Sequence, residues 1–585
     1  MSSTTAPPGY RQLLVTYLGP LWPQVALLGL LLLAATGLAL AQPQVLRQFI
    51  DSAVAGAPLD TLAWVALIII GVALALQVAQ VVEVYVAENV GLSATNRLRV
   101  DLALHVLRLD PPFHAAHPPG VLIERTDGDV ATLNTFFSRL VLYLIGHSLL
   151  IVGVLALLVQ VDWRIGAVAA TCTALGVIVM ERMHGVVVPK NAAWRQASAD
   201  LFGTIEERLA GTEDVRANGA VPYVVRRLLE RSRNLLWRQT VAHIASWGTF
   251  QIASLLMHLG TVLALGIAAY LFMAGELTIG TVYLVFAYSE SLRRPVEGIT
   301  RHVQEFQRAA ASTGRIRDLL AERSTIVDGP GAMLPTGAPS VELDRVTFGY
   351  GDSEPILRDV SLRLEAGQVL GLLGRTGAGK TTIARLLFRL YDPQVGSVRL
   401  GGIDLRQPTL EQLRARVGIV SQDVQLFHAS VRDNVTLFDA TVPDDRITAV
   451  LLDLGLGPWL DRLPNGLDSE LAPGGGGLSA GESQLLAFAR AFLKDPGLIV
   501  LDEASSRLDP ATERLLECAV DRLLRGRTAI VIAHRLRTVQ RADRIAILED
   551  GQLVEAGDRV ALASVPDSRF GRLLRIGLED AGVLA

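Results

Sequence analysis

The sequence predicts a multidomain chain, with an all-α transmembrane domain of six helices followed by an α/β P-loop domain. Three observations predict it. Half of the 585 residues are hydrophobic and only 19% are charged, against about 25% charged in ordinary soluble domains. Long uncharged runs fill the first half, and charge becomes regular only in the second. There, a glycine-rich loop lies between an apolar run and a helical pattern. The chain is too long for one ordinary domain. The expected limits are 1–323 for the membrane domain, 324–340 for a linker and 341–585 for the α/β domain.

Residues 25–41 are apolar without a charge, and Gln42-Pro43 ends or kinks the run. Ala39-Leu40-Ala41 resembles a signal-peptidase site. The positive region before it is weak and five more apolar segments follow, so a first membrane helix is the preferred reading. Candidate spans two to five are residues 62–82, 140–159, 165–180 and 252–274. A sixth begins at 277–288 and turns polar early, at Glu290, Arg293 and Arg294. The fourth and sixth are short against the roughly 17–25 residues of a tilted spanning helix and need their flanks.

Loop charge orients these spans. Arg97, Arg99, Arg108, Arg125 and Arg139 lie between spans two and three, and the segment between spans four and five is richer still, from Arg182 to Arg238. The opposite connections hold at most one arginine each. Positive charge stays inside, which puts both termini and the α/β domain in the cytoplasm of a multi-pass cell-membrane protein. Both long segments carry helical periodicity (Leu98, Leu102, Val106; Leu201, Ile205, Leu209), so they extend the membrane helices. Residues 111–120 and 217–222 are turn-like and are candidate reversal points. Residues 324–340, rich in Gly, Pro and Thr, read as the linker, and strands alternate with helices from Val341 onward.

Gly374-Arg375-Thr376-Gly377-Ala378-Gly379-Lys380-Thr381-Thr382 follows the apolar strand 369–373 and precedes a helix at 383–387. Glycines let successive backbone N–H groups face inward, and the helix N-terminus adds positive potential. Lys380 reaches the outer phosphates and Thr381 offers a hydroxyl to Mg²⁺. This strand–loop–helix context marks an NTP site rather than an incidental Gly-rich turn. The apolar strand 498–503 ends in two acids, Asp502-Glu503. In P-loop enzymes the first such acid holds Mg²⁺ and the second polarises the attacking water. Leu478-Ser479-Ala480-Gly481-Glu482 opens a helix, with Ser479 suited to its cap and the free N–H groups forming a second anion site. An ordinary capped helix explains these residues equally well.

In combination, the motifs resemble those of ATP-binding-cassette (ABC) transporters, and the whole chain resembles a half-transporter of the six-helix exporter type. The resemblance implies ATP and Mg²⁺ as cofactors. It implies that Tyr350 stacks on adenine, and that Gln422, with Thr381 and Asp502, contacts Mg²⁺. Glu503 is then the general base, and His534 contacts the γ-phosphate. Leu478 to Glu482 becomes the signature that binds the other protomer's ATP, and Asp509 the group that communicates across the dimer. The two turn-like stretches correspond to coupling helices.

Two departures stand out. The signature usually reads L-S-G-G-Q, and here Ala480 and Glu482 replace a glycine and the glutamine. Just upstream, Pro473-Gly474 stands where exporters often have a Glu-Arg pair. Intact catalytic residues beside an altered signature favour a heterodimer with a second ABC half-transporter over a homodimer.

The expected function is ATP-driven export of an amphipathic, lipid-like or drug-like small molecule. The alternatives are an importer on the exporter fold, for example of a siderophore-like compound, and an ATP-gated regulatory subunit. Residues 1–24 leave no room for a protease domain, so peptide processing is not expected. A net charge of −4 gives no reason to expect nucleic acid. Cys172 and Cys518 form neither a metal set nor a disulfide framework and are expected to be buried, inert thiols. His147 and His258 lie inside spans. There a neutral histidine bonded to a neighbouring helix is preferred over a functional one.

Overall fold

In the computed structural model, the described residues are 15–351, 354–421, 424–502, 510–532, 539–565 and 567–580. They divide into two compact units. One comprises Met1–Arg108 and Pro118–Arg323, and the other Leu109–His117 and Ser324–Ala585.

The first unit is built on six long helices: α1 (Trp22–Val54), α2 (Leu59–Arg108), α3 (Val141–Val161), α4 (Trp163–Ala210), α5 (Val221–Met273) and α6 (Ile279–Ala321). The periodic extensions are continuous with the apolar runs. Leu98, Leu102 and Val106 of α2 are buried although they lie well past its apolar stretch. Among the described residues, five helices are long and apolar enough to cross a membrane. Helix α6 is long but does not meet that measure, because it is apolar on one face only. Leu284, Val285, Tyr288, Leu292 and Val296 are buried in the helix core, while Glu290 pairs with Arg293 at 2.7 Å on another face.

Helices α1 and α6 are tied by polar contacts as well as packing. The Tyr288 hydroxyl donates to the Leu40 carbonyl at 2.7 Å. Asp51 accepts from Gly280 N and Thr278 Oγ1, each at 2.8 Å, so it caps the start of α6. A Cβ at Gly280 would lie 2.5 Å from the Arg47 carbonyl, so only glycine allows this approach. Further in, the buried Asp129 receives Ser312 Oγ at 2.8 Å and Arg315 Nε at 2.9 Å, which ties the return from the first long segment to the end of α6.

The second unit holds two sheets. Strands β1 (Val341–Phe348), β2 (Leu357–Leu364), β4 (Val395–Leu400) and β5 (Ile403–Asp404) form an antiparallel sheet in the order β2-β1-β4-β5. Strands β3 (Val369–Gly374), β6 (Val417–Val420), β7 (Leu498–Asp502), β8 (Thr528–Ile532), β9 (Arg544–Glu549) and β10 (Gln552–Asp558) form the other, in the order β10-β9-β3-β8-β7-β6. It is parallel apart from β10.

Alternation along these strands feeds two cores, because successive side chains point to opposite faces. Leu370, Leu372, Leu498, Val500, Ile530 and Ile532 pack with the small sheet and with α7 (Lys380–Leu387). Ile499, Leu501, Ala529, Val531, Ile545 and Ile547 pack with α8 (Ala480–Lys494) and α9 (Pro510–Leu524). Both faces are covered, hence the near-continuous apolar strands.

The thiols differ from expectation. Cys172 is half-buried and Cys518 is exposed. On α9 the inward stripe is Leu516, Ala519 and Leu523, and Cys518 falls beside it.

Candidate functional site: a nucleotide site on the sheet edge

Strands β3, β7 and β8 are parallel, and the register pairs Leu372 with Ile532 and Asp502 with Ile532. The loop after β3 and the acid ending β7 therefore lie along one edge, at the carboxyl ends of the strands, where open α/β sheets bind ligands.

The loop itself demands glycine. Gly374, Gly377 and Gly379 have φ of +152°, +87° and +103°. A Cβ at Gly374 would meet the Leu548 carbonyl at 2.4 Å, and one at Gly379 the Leu357 side chain at 2.6 Å. Lys380 is buried, and its Nζ donates to the carbonyls of Gly374 at 2.6 Å and Arg375 at 3.0 Å. The ammonium is thus held over the mouth of the loop. Thr381 sits exposed on the first turn of α7. Its neighbour Thr382 lies 3.2 Å from the Tyr350 hydroxyl, which also accepts from Arg385 Nη1 at 3.0 Å. Tyr350 packs edge-on against Phe348 and Tyr391, each 5.1 Å away between ring centres, and the Arg385 guanidinium lies 5.5 Å from its ring. The aromatic that the sequence places 24 residues before the loop is therefore brought to it.

The signature lies elsewhere. Ser479 caps α8, accepting from Glu482 N at 3.1 Å, while Glu482 Oε2 accepts from Ser479 N at 2.8 Å. This is a closed capping box. Arg462 Nη2 donates to the other Glu482 oxygen at 3.1 Å. Helices α7 and α8 pack on opposite faces of the six-stranded sheet. Gln422, Glu503, Asp509 and His534 lie outside the described residues. The strands leading to Gln422, Glu503 and His534, namely β6, β7 and β8, are adjacent and parallel.

Both halves match families. Residues 25–296 match the model described as "ABC transporter transmembrane region", and residues 357–506 the model described as "ABC transporter". An ATP-dependent lipid A-core flippase of Chromobacterium violaceum is 30% identical over 567 residues, 94% of each chain. A fatty acid ABC transporter ATP-binding/permease protein of Mycobacterium bovis is 30% identical over 80% of this chain and 74% of its own. The chain belongs to the ABC transporter family. A bacterial Atm1-family ABC exporter solved with ATP bound superposes with a TM-score of 0.77 at 26% identity, covering 95% of this chain and 98% of its own. This ABC half-transporter accordingly binds and hydrolyses ATP to drive transport. Its helical half crosses the bilayer, and its single cassette implies a dimer.

Two residues that sequence reasoning passed over organise the cassette. Arg490 of α8 donates to the carbonyls of Asn434 at 2.8 Å and Gln425 at 3.0 Å. Asn434, fully buried, bonds Phe427 N at 2.9 Å and its carbonyl at 3.0 Å. Together they tie the signature helix to the segment just after Gln422. The available signal was one cation inside the apolar run Leu485-Leu486-Ala487-Phe488-Ala489-Arg490-Ala491-Phe492. Burial lowers the pKa of that guanidinium. The intramembrane His258 bonds its own helix, with Nδ1 2.7 Å from the Ser254 carbonyl, rather than a neighbouring one.

Proposed function

We propose that this chain is one half of a heterodimeric exporter of amphipathic, lipid-like or drug-like molecules, with its cassette and both termini in the cytoplasm. The observation that carries the heterodimer is Glu482. Its carboxylate closes the capping box at the N-terminus of α8, where the signature would offer N–H groups to a partner's γ-phosphate. A fixed negative charge there opposes phosphate, whereas the chain's own loop keeps every group that phosphate binding needs. The partner then supplies a good signature to this chain's ATP. Names of relatives that move lipid A core and fatty acids support the lipid-like substrate class.

In this reading Gly374 to Thr382 cradle the phosphates, and Tyr350 stacks on adenine, turning away from Arg385 to do so. Thr381, Gln422 and Asp502 would hold Mg²⁺, which neutralises the β- and γ-phosphate oxygens when bound. Glu503 takes the proton of the attacking water, His534 contacts the γ-phosphate, and Asp509 signals across the dimer. Glu503→Gln is expected to preserve ATP binding and lower turnover by about 100-fold or more, the range of a lost general base. Unchanged hydrolysis in the purified complex would reject the assignment of the base.

A further inference from the structure

Within the membrane half, α1, α2 and α3 line an open-sided cavity of about 590 Å³, inside the roughly 300–1,000 Å³ of drug-sized ligand sites. Close helix approaches bound it at both ends. A Cβ at Gly146 would lie 3.0 Å from Leu32 Cδ1, and one at Gly153 2.6 Å from Leu40 Cδ1, so α1 and α3 meet there. At the other end a Cβ at Gly91 would lie 2.5 Å from Asn134 Oδ1 and 3.0 Å from Ser138 Cβ. That contact falls beside a π-helical turn, Phe136–Leu140, a distortion frequent at functional sites.

The lining is two-sided. Leu32, Ala35, Ala39 and Leu150 make an apolar wall. Gln80, Glu83 and Glu88 of α2 face it. Tyr143 and His147 add a ring pair with centres 5.5 Å apart. Glu83 is half-buried and has no ion-pair or hydrogen-bond partner among the described residues. A carboxylate withdrawn from water without a counter-charge is costly, and an ionisable group at membrane depth marks a ligand path. An entering cation would recover that cost, and the aromatic pair would stabilise it further.

We propose that this cavity binds an organic monocation with an apolar body, its charge on Glu83 and its body against the α1 wall. The site rests on the exporter reading for its place in the translocating half and narrows its substrate to cationic amphiphiles. The test uses the purified full-length assembly without nucleotide, so it is independent of ATP turnover and of the Glu503 result. Displaceable binding of tetraphenylphosphonium is compared with that of tetraphenylborate, which has the same shape and opposite charge. Saturable binding of the phosphonium alone is expected. Glu83→Gln should weaken it by about tenfold or more, about 1.4 kcal/mol, Glu83→Asp should retain it, and Ala39→Phe should block it by filling the cavity. Glu276→Gln, on an exposed turn, should change nothing. Equal binding of both ions, or wild-type phosphonium affinity in Glu83→Gln, overturns the proposal. If Glu83→Gln lowers the melting midpoint, Ala39→Phe decides: loss of phosphonium binding supports the site and unchanged binding overturns it.

Discussion

Arg490 illustrates how much one side chain can carry. Its guanidinium satisfies two backbone carbonyls and shares a third contact with Asn434, all from within a helix whose neighbours are apolar. Removing it leaves the Asn434 carbonyl, in a fully buried residue, without that donor, a loss of about 1–3 kcal/mol. Arg490→Ala should therefore lower the cassette's denaturant midpoint, with Arg490→Lys intermediate because an ammonium cannot span the same fork. Equal midpoints for all three proteins would show that water replaces the guanidinium. Asp110 is a second such residue. Burial would raise its pKa, but hydrogen bonds from the Thr325 hydroxyl and amide, the Phe113 amide and the Ser324 hydroxyl hold it below the usual carboxylate range. The folded state thus favours the ionised form. Its contribution is present above the unfolded-state value of about 3.9 and disappears as pH falls through the lower folded value. Asp110→Asn should reduce stability near neutrality and flatten the acid limb of a melting-point profile. An unaltered limb would count against the assignment.

Among the elements, the signature helix α8 separates two effects that its sequence merges. Glutamine and glutamate both complete a capping box, so Glu482→Gln should leave α8 as stable as before while removing the charge at its N-terminus. Turnover of the chain expressed alone, where each phosphate loop would face this same signature in a second copy, should then rise. Glu482→Ala opens the box as well and should cost about 1 kcal/mol of cassette stability. If Glu482→Gln leaves turnover unchanged, the carboxylate is not what weakens the signature. The P-loop was fully legible in the sequence, since glycine spacing, the apolar strand before it and the helix after it are all local. The capping box was half legible: Ser479 was expected as the cap and Glu482 stands at the spacing that closes the box, but the contact of Glu482 with Arg462 needed coordinates. Arg490 and Asp110 were not legible, because their partners lie 56 and 215 residues away.

For the whole molecule, the signature role proposed for α8 makes association necessary for a complete nucleotide site, since α7 and α8 lie on opposite faces of one sheet. Expressed alone, the chain is expected to bind ATP with little turnover, and co-expression with a second half-transporter should restore it. A stable homodimer with brisk, substrate-stimulated hydrolysis would return the reading to a homodimer.

The sequence by itself determined the two-part architecture, the family and the phosphate loop. Apolar runs of spanning length and motifs of fixed short spacing are properties of neighbours along the chain. It also anticipated that the sixth helix would turn polar early. Only the tertiary structure decided which face of α6 is buried, that Arg462 joins Glu482, and that Glu83 faces a cavity between α1, α2 and α3. Each depends on contacts between segments that are not neighbours along the chain, and such contacts leave no periodic trace in the sequence.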